Sequence, residues 1–302
     1  MADDITLAMD FSGETLTAGF VADGDALTGV SRLDLADFLA GSETPMEKLI
    51  SLLAAKLRTA PGEATLLALA MGCDISADGR TVLDYPGAIW LNGKNLADAL
   101  ESAMGRPVVM ERRGAAFLSY DRACLDLPQD GVLVGCYVDD VYDNAIWCGG
   151  RILRGHSGAA GNIGHMPVHG REDNCHCGKF GCIELYGTGV RLKQMHSLIF
   201  PDIPYEEIFV QHREHPLLKD FLRMMAYPIA AETNILDPDV IVLGGTVPSM
   251  PDFPIKEVEQ AIRDQCYYPY PAKEFNLVFS SIDEEGRLLA AARHARDVLA
   301  GR

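Results

Sequence analysis

Residues 131–153 read GVLVGCYVDDVYDNAIWCGGRIL. Gly131–Val138 and Asn144–Cys148 are short β-rich runs joined by an acidic connection, which is the pattern of a hairpin, and Gly149-Gly150 turns the chain into a third extended run, Arg151–Leu153. The chain opens in the same way. Ile5–Asp10 and Thr15–Val21 alternate, Asp23-Gly24 supplies a turn, and Leu27–Leu33 extends again. A three-stranded meander that restarts halfway along predicts a duplicated α/β domain.

Working outward, each meander is followed by alternating helix and strand signals. After the first come Pro45–Leu57, with apolar residues at helical spacing (Met46, Leu49, Ile50, Leu53, Leu57), the β-rich run Ala64–Met71, a helix near Leu96–Met104, a strand at Val108–Met110 and a helix near Ala115–Cys124. After the second come a helix from about Val190, a helical segment within Leu217–Leu236 that Pro228 is expected to interrupt, strand Val240–Leu243, a helix near Ile255–Gln265, strand Phe275–Phe279 and a final helix Gly286–Leu299. The expected division is an N-terminal α/β domain over 1–123 and a C-terminal one over 124–302, with a cleft between them. The final helix, 286–300, is free to pack on either.

The 302 residues carry 43 acids against 26 bases, a formal charge of −17 that repels polyanions and argues against binding nucleic acid or an anionic membrane. The acidic N-terminus lacks the basic start of a secretory signal, and no apolar run approaches membrane-spanning length, so the cytoplasm is the expected location. Eight cysteines are present, but Cys175, Cys177 and Cys182 crowd together while Cys73, Cys124, Cys136, Cys148 and Cys266 are scattered. That distribution favours a metal site and buried thiols over disulfides.

Residues 164–184, GHMPVHGREDNCHCGKFGCIE, place three cysteines after His165, with His169 and His176 also present, in a Gly-rich stretch with no periodic apolar face. Three thiolates spaced Cys-x-Cys-x4-Cys converge readily, and His165 closes a tetrahedron with Cys175, Cys177 and Cys182. Four protein ligands leave no position for water, so a Zn2+ ion here is expected to be structural, shaping the loop 165–184. His156, His169 and His176 are alternative ligands to His165.

The zinc loop, the stretch GHSGAAGNIGHMPV before it and LDPDVIVLGG (236–245) after it resemble the motifs of the ROK family of repressors, open-reading-frame proteins and sugar kinases, with the D-allose kinase and glucokinase-like branch most similar. The resemblance covers nearly the whole chain. It implies the two-domain, actin-like (ribonuclease H-like) ATPase fold of the ATP-dependent sugar kinases, carrying an inserted zinc loop. It also implies a homo-oligomer, dimer or tetramer. The repressor branch, which needs an added N-terminal helix-turn-helix, is set aside because the sequence starts at the first strand.

The family's chemistry is where the sequence departs. The aspartate that deprotonates the sugar's 6-hydroxyl corresponds to Arg113, and the neighbouring sugar-binding asparagine to Arg112. A guanidinium has no lone pair with which to accept a proton, so no catalytic base is retained at that position. The first phosphate loop becomes Asp10-Phe11-Ser12-Gly13-Glu14, with Glu14 where a hydroxyl should face ATP. The glycine-rich second loop becomes Asp139-Asp140-Val141-Tyr142-Asp143. Four carboxylates, each contributing on the order of 1 kcal/mol, disfavour ATP and Mg2+ binding. The family's Glu in G-E-x-G-H is Asn162, and its P-N-L asparagine is Gly87. Retained are His165 and Glu184 on the sugar side, Asp10, which the family links to magnesium, and Gly244 and Gly245 on the adenosine side, followed by Thr246.

The leading reading is therefore a sugar kinase-like pseudokinase that keeps the fold, the zinc and a pocket for a hexose or related small molecule through Glu184, His165, Asn162 and Arg112. Alternatives are an active hexose kinase whose base has moved to Glu111 or Asp140, and a sugar-converting enzyme that needs no nucleotide. Arg112 and Arg113 are expected to pair with Asp139, Asp140 and Asp143, the competing view being that both runs are solvated surface charge. The aromatic strip Tyr267–Pro271 reads as a packed edge or a subunit interface.

Overall fold

Strand β1 (Ile5–Ser12) is buried on both faces, as expected of a strand flanked on each side and covered above and below. In the computed structural model, which describes residues 4–301, it pairs antiparallel with β2 (Thr15–Val21) and parallel with β4 (Ala64–Met71). β3 (Leu27–Asp34) pairs with β2 and is largely exposed; its charged residues Arg32 and Asp34 suit an edge. The connection to β4 carries α1 (Leu35–Leu39) and α2 (Pro45–Leu57). A two-stranded ribbon of β5 (Asp74–Ile75) and β6 (Val82–Asp84) follows, then a 3-10 turn over Pro86–Leu91, α3 (Leu96–Met104), β7 (Val108–Arg112) and α4 (Arg113–Cys124). The sheet order is β3-β2-β1-β4-β7.

The second half repeats that plan. β8 (Leu133–Val138), β9 (Tyr142–Cys148) and β10 (Arg151–Ile152) form the meander. A 3-10 turn at Ile163–His165 precedes α5 (Glu184–Gly187), α6 (Gly189–Ile199), α7 (Ile208–His212), α8 (Pro216–Leu236), β11 (Val240–Gly244), α9 (Ile255–Arg263) and β12 (Leu277–Phe279). Its order, β10-β9-β8-β11-β12, matches the first sheet position for position, with the last two strands added in parallel. The duplicated meander is thus a duplicated sheet.

The chain divides into two units. One comprises the chain through Cys124, the segment Arg154–Ala160 and the stretch from Ile282 onward; the other comprises Leu125–Leu153 and Gly161–Ser281. Two stretches beyond residue 124 therefore belong with the first unit, and one carries the final helix, α10 (Glu284–Leu299). Its buried face is mostly alanine (Ala291, Ala292 and Ala295, with Leu288), which lets it approach the first sheet closely, and Arg296 ties it to the Val21 carbonyl at 2.6 Å. Separate cores fill the units, Leu7, Met9, Phe11, Leu49 and Leu69 in one and Val134, Leu222, Met225, Ile241 and Leu243 in the other.

The interruption expected at Pro228 does not occur: α8 is one helix over Pro216–Leu236 with Pro228 inside it. Proline removes one rung of the helical ladder at a cost of about 3 kcal/mol. Burial of Pro228 between Ala226 and Ile229 offsets that cost, and the Tyr142 hydroxyl donates to the Met225 carbonyl at 2.7 Å in the disturbed turn.

Candidate functional site

Strand β7 runs directly into α4, so Glu111, Arg112 and Arg113 form one corner of the first unit. Arg113 is 1% exposed, and its Nε lies 2.9 Å from Oδ1 of Asp10 on β1, itself buried. The guanidinium also stands over the Phe117 ring at 5.2 Å. Arg113, the residue expected at the base position, is thus a buried cation held against the buried carboxylate of Asp10. Arg113 and Asp139, at 6% exposure, are not solvated surface charge, whereas Asp140 is exposed and pairs with Lys193 at 2.7 Å.

Arg112 donates from Nη1 to the carbonyls of Gly158 (3.2 Å) and Ala160 (2.7 Å). Glu111, 3% exposed, forms an ion pair with Arg154 and meets Nε2 of His294 at 3.2 Å; Nδ1 of that histidine is 3.1 Å from the Ser119 hydroxyl. Burial pushes the Glu111 carboxyl up, but the His294 hydrogen bond and the charges of His294 and Arg154 outweigh it and hold the group below the usual carboxylate range. A carboxylate so occupied is a poor proton acceptor. Arg154 and His294 carried no signal in the sequence, because each reaches Glu111 from a distant segment.

The first degenerate loop is the β1–β2 turn. Gly13 takes a left-handed conformation (φ +57°), Glu14 is exposed, and the Tyr85 hydroxyl donates to the Gly13 carbonyl at 2.6 Å. Gly87 lies so close that a Cβ there would stand 2.3 Å from the Gly13 carbonyl oxygen. In the second loop, Oδ1 of Asp139 accepts the backbone N–H of Thr246 at 2.7 Å, and its carbonyl accepts that of Gly189 at 2.7 Å. Gly245 (φ +100°) lies against Val138, where a Cβ would meet the backbone nitrogen at 2.6 Å. A carboxylate therefore takes up an amide of the Gly244-Gly245-Thr246 turn. Asp143 is half-buried on β9. The two loops thus carry the carboxylates of Glu14 and of Asp139, Asp140 and Asp143.

In the second unit, ligand atoms of His165, Cys175, Cys177 and Cys182 all lie within 4.8 Å of one another. The Cys177 and Cys182 sulfurs are 3.6 Å apart, and Sγ of Cys175 is 3.6 Å from Nδ1 of His165. Tetrahedral binding with sulfur at about 2.3 Å and nitrogen at about 2.0 Å sets such edges at roughly 3.5–3.8 Å. The cluster could thus hold a metal ion. Burial pushes the thiols of Cys175 and Cys182 up, the latter to about 12, so a bound cation would have to draw off their protons. His176 joins a second grouping with His165, Cys175 and Glu184; His156 and His169 belong to neither among the described residues. Glu184 is buried next to the cluster, taking the Tyr142 N–H at 3.3 Å and facing His176 Nδ1 at 3.5 Å, and the Asn162 carbonyl accepts the His165 N–H at 3.2 Å at the start of the short turn.

A buried group that sequence reading missed is Glu232 on α8. It accepts from Nδ2 of Asn144 at 2.9 Å, and the amide also reaches the Gly135 carbonyl at 3.0 Å. Burial is the main reason its carboxyl is pushed up to about 8. A glutamate inside a helix that reads as core carries no mark distinguishing it from a solvated one.

The signature of the ROK family matches residues 35–298, well over half of the chain. The chain belongs to the ROK family. Among curated relatives of this ROK protein, the N-acetylmannosamine kinase of Salmonella arizonae is 26% identical over 251 residues, 80% of this chain and 83% of that protein. The DNA-binding transcriptional dual regulator NagC of Escherichia coli (strain K12) is 24% identical over 167 residues, 50% of this chain and 41% of that protein. The match takes in about half the length of several such relatives, including 54% of a Vibrio cholerae N-acetylmannosamine kinase. Among solved structures, a ROK family glucokinase from Streptomyces griseus in complex with glucose and AMPPNP has a TM-score of 0.79 at 19% identity, over 97% of this chain and 99% of that one. A ROK hexokinase from Thermus thermophilus has a TM-score of 0.74 at 22% identity, over 99% and 100%. The fold is the mixed α/β fold of the ROK sugar kinases, and among the described residues no helix is long and apolar enough to cross a membrane.

Proposed function

We propose that this ROK protein is a pseudokinase, of sugar-kinase ancestry but without phosphoryl transfer, that binds a hexose or related sugar and acts through binding. The observation that carries the reading is the buried Arg113–Asp10 pair. A permanent cation at the residue the resemblance aligns with the base, tied to the carboxylate the resemblance gives to the metal, supports the loss of phosphoryl transfer. The acidic loops support it, since Asp139 takes up an amide of the adenosine-side turn and Asp140 and Glu14 add negative charge. ATP and Mg2+ do not fit these residues. Displacement of the base to Glu111 is disfavoured by its ties to Arg154 and His294.

Sugar binding falls to Glu184, His165 and Asn162, while Arg112 shapes segment 154–160. Zinc held by His165, Cys175, Cys177 and Cys182 would keep the loop carrying His165 and Glu184 in shape. Self-association into a dimer or tetramer is part of the same reading. The purified protein is expected to show no turnover in a coupled assay with Mg-ATP and glucose, allose or N-acetylmannosamine, and no heat of nucleotide binding. Arg113→Asp alone should stay inactive, because the second loop remains acidic. A raised melting temperature with one sugar of the panel is the positive result; phosphorylation of any of these sugars overturns the reading.

A further inference from the structure

Segment 154–160, RGHSGAA, belongs to the first unit although the chain on either side of it belongs to the second. It closes on itself: the Ala160 N–H donates to the Arg154 carbonyl at 3.2 Å. Gly155 (φ +73°) and Gly158 (φ +91°) take left-handed turns open to few other residues. The loop is firmly seated. A Cβ on Gly158 would lie 2.6 Å from the Ile75 carbonyl oxygen, Arg154 pairs with Glu111, and Arg112 holds the carbonyls of Gly158 and Ala160.

Those anchors all act on carbonyls or on a side chain. The backbone N–H groups of residues 155–159 donate to no group among the described residues. In a trans peptide the C=O and N–H point in opposite directions, so fixing the Gly158 carbonyl on Arg112 turns the Ala159 N–H away from that guanidinium. Gly155, His156, Ser157 and Ala159 are exposed, and the Arg154 side chain is 36% exposed beside them. Asp78, just beyond the Ile75–Ala77 backbone that seats Gly158, spends Oδ1 on the Ser76 hydroxyl and the Arg80 N–H.

We propose that this loop is an anion-binding site for a phosphate monoester, in which successive amides around the two left-handed glycines cradle the phosphoryl oxygens and Arg154 adds charge. In a chain of net charge −17 it is a place where amides and guanidinium face solvent together. The site requires neither loss nor retention of kinase activity, so it does not rest on the pseudokinase reading.

Titration of 15N-labelled protein with inorganic phosphate, glucose 6-phosphate and AMP tests it. Saturable shifts of the amides of residues 155–159 are expected. Tightest binding of glucose 6-phosphate would assign a sugar phosphate, tightest binding of AMP a nucleotide, and equal binding of all three free phosphate. Ser157→Pro, which removes one donor, should weaken binding about 10- to 100-fold, the range for a hydrogen bond to a charged group. Ser157→Ala, which keeps the amide, should change it less than about threefold. Unmoved amides with all three probes, or equal losses in the two variants while the rest of the amide spectrum stays native, would overturn the proposal.

Discussion

Glu232 folds as an acid that resists ionisation, its carboxyl pushed up to about 8 from an ordinary value of 4.5 by burial. The native state therefore holds its proton more tightly than the unfolded chain does. The stabilisation this gives is complete below about pH 4.5, declines as pH rises towards 8, and is gone above it. Urea midpoints at pH 5, 6.5, 8 and 9 should thus fall more steeply across the lower three for the native protein than for Glu232→Gln, and run parallel between the last two. Arg113 makes the complementary point. With 1% and 5% of the two side chains exposed, Arg113→Ala leaves Asp10 buried without its cation and should cost about 3–5 kcal/mol in chemical denaturation. Arg113 stood out in the sequence because a motif gave its place a chemical requirement. Asp10 and Glu111 were singled out for other roles, but their pairings with Arg113 and with His294 and Arg154 were not legible, because folding, not spacing, brings those side chains together.

Elements were far more legible. Apolar alternation located both meanders and helical spacing located α2, α3 and α10, since each buries one face or stripe whose period is written in the residues. Pro228 was misleading, because local preference says nothing about the packing that keeps α8 continuous. Cysteine and histidine spacing pointed to the cluster and favoured His165, whose ligand atoms lie with those of all three cysteines, while His176 groups with His165, Cys175 and Glu184. A strong chelator is expected to remove about one zinc per chain, measured by atomic absorption, and to expose 175–182 to hydrogen exchange; Cys182→Ser should do the same without chelator. Gly187 tests the packing of α5 on α8. A Cβ there would stand 2.7 Å from the Met225 nitrogen, so Gly187→Ala should lower the melting temperature by several degrees.

At the scale of the whole molecule, the duplicated plan was readable but the assignment of segments to units was not. A sequence divided near residue 124 hides that 154–160 belongs to the first unit and leaves the final helix open to either, whereas the stretch from Ile282 onward belongs to the first. Ending the chain at Ser281 removes α10 from against β1, β4 and α4, and the truncated protein is expected to lose the cooperative melting of the first unit in calorimetry while keeping helical signal from the second. The chain passes from one unit to the other four times, at 124/125, 153/154, 160/161 and 281/282. On the ribosome, then, the amino-terminal half waits: its sheet is translated early yet lacks a covering helix until synthesis is nearly over. Neither half can be lifted out as an uninterrupted stretch of gene, which ties the two together in inheritance as well as in folding.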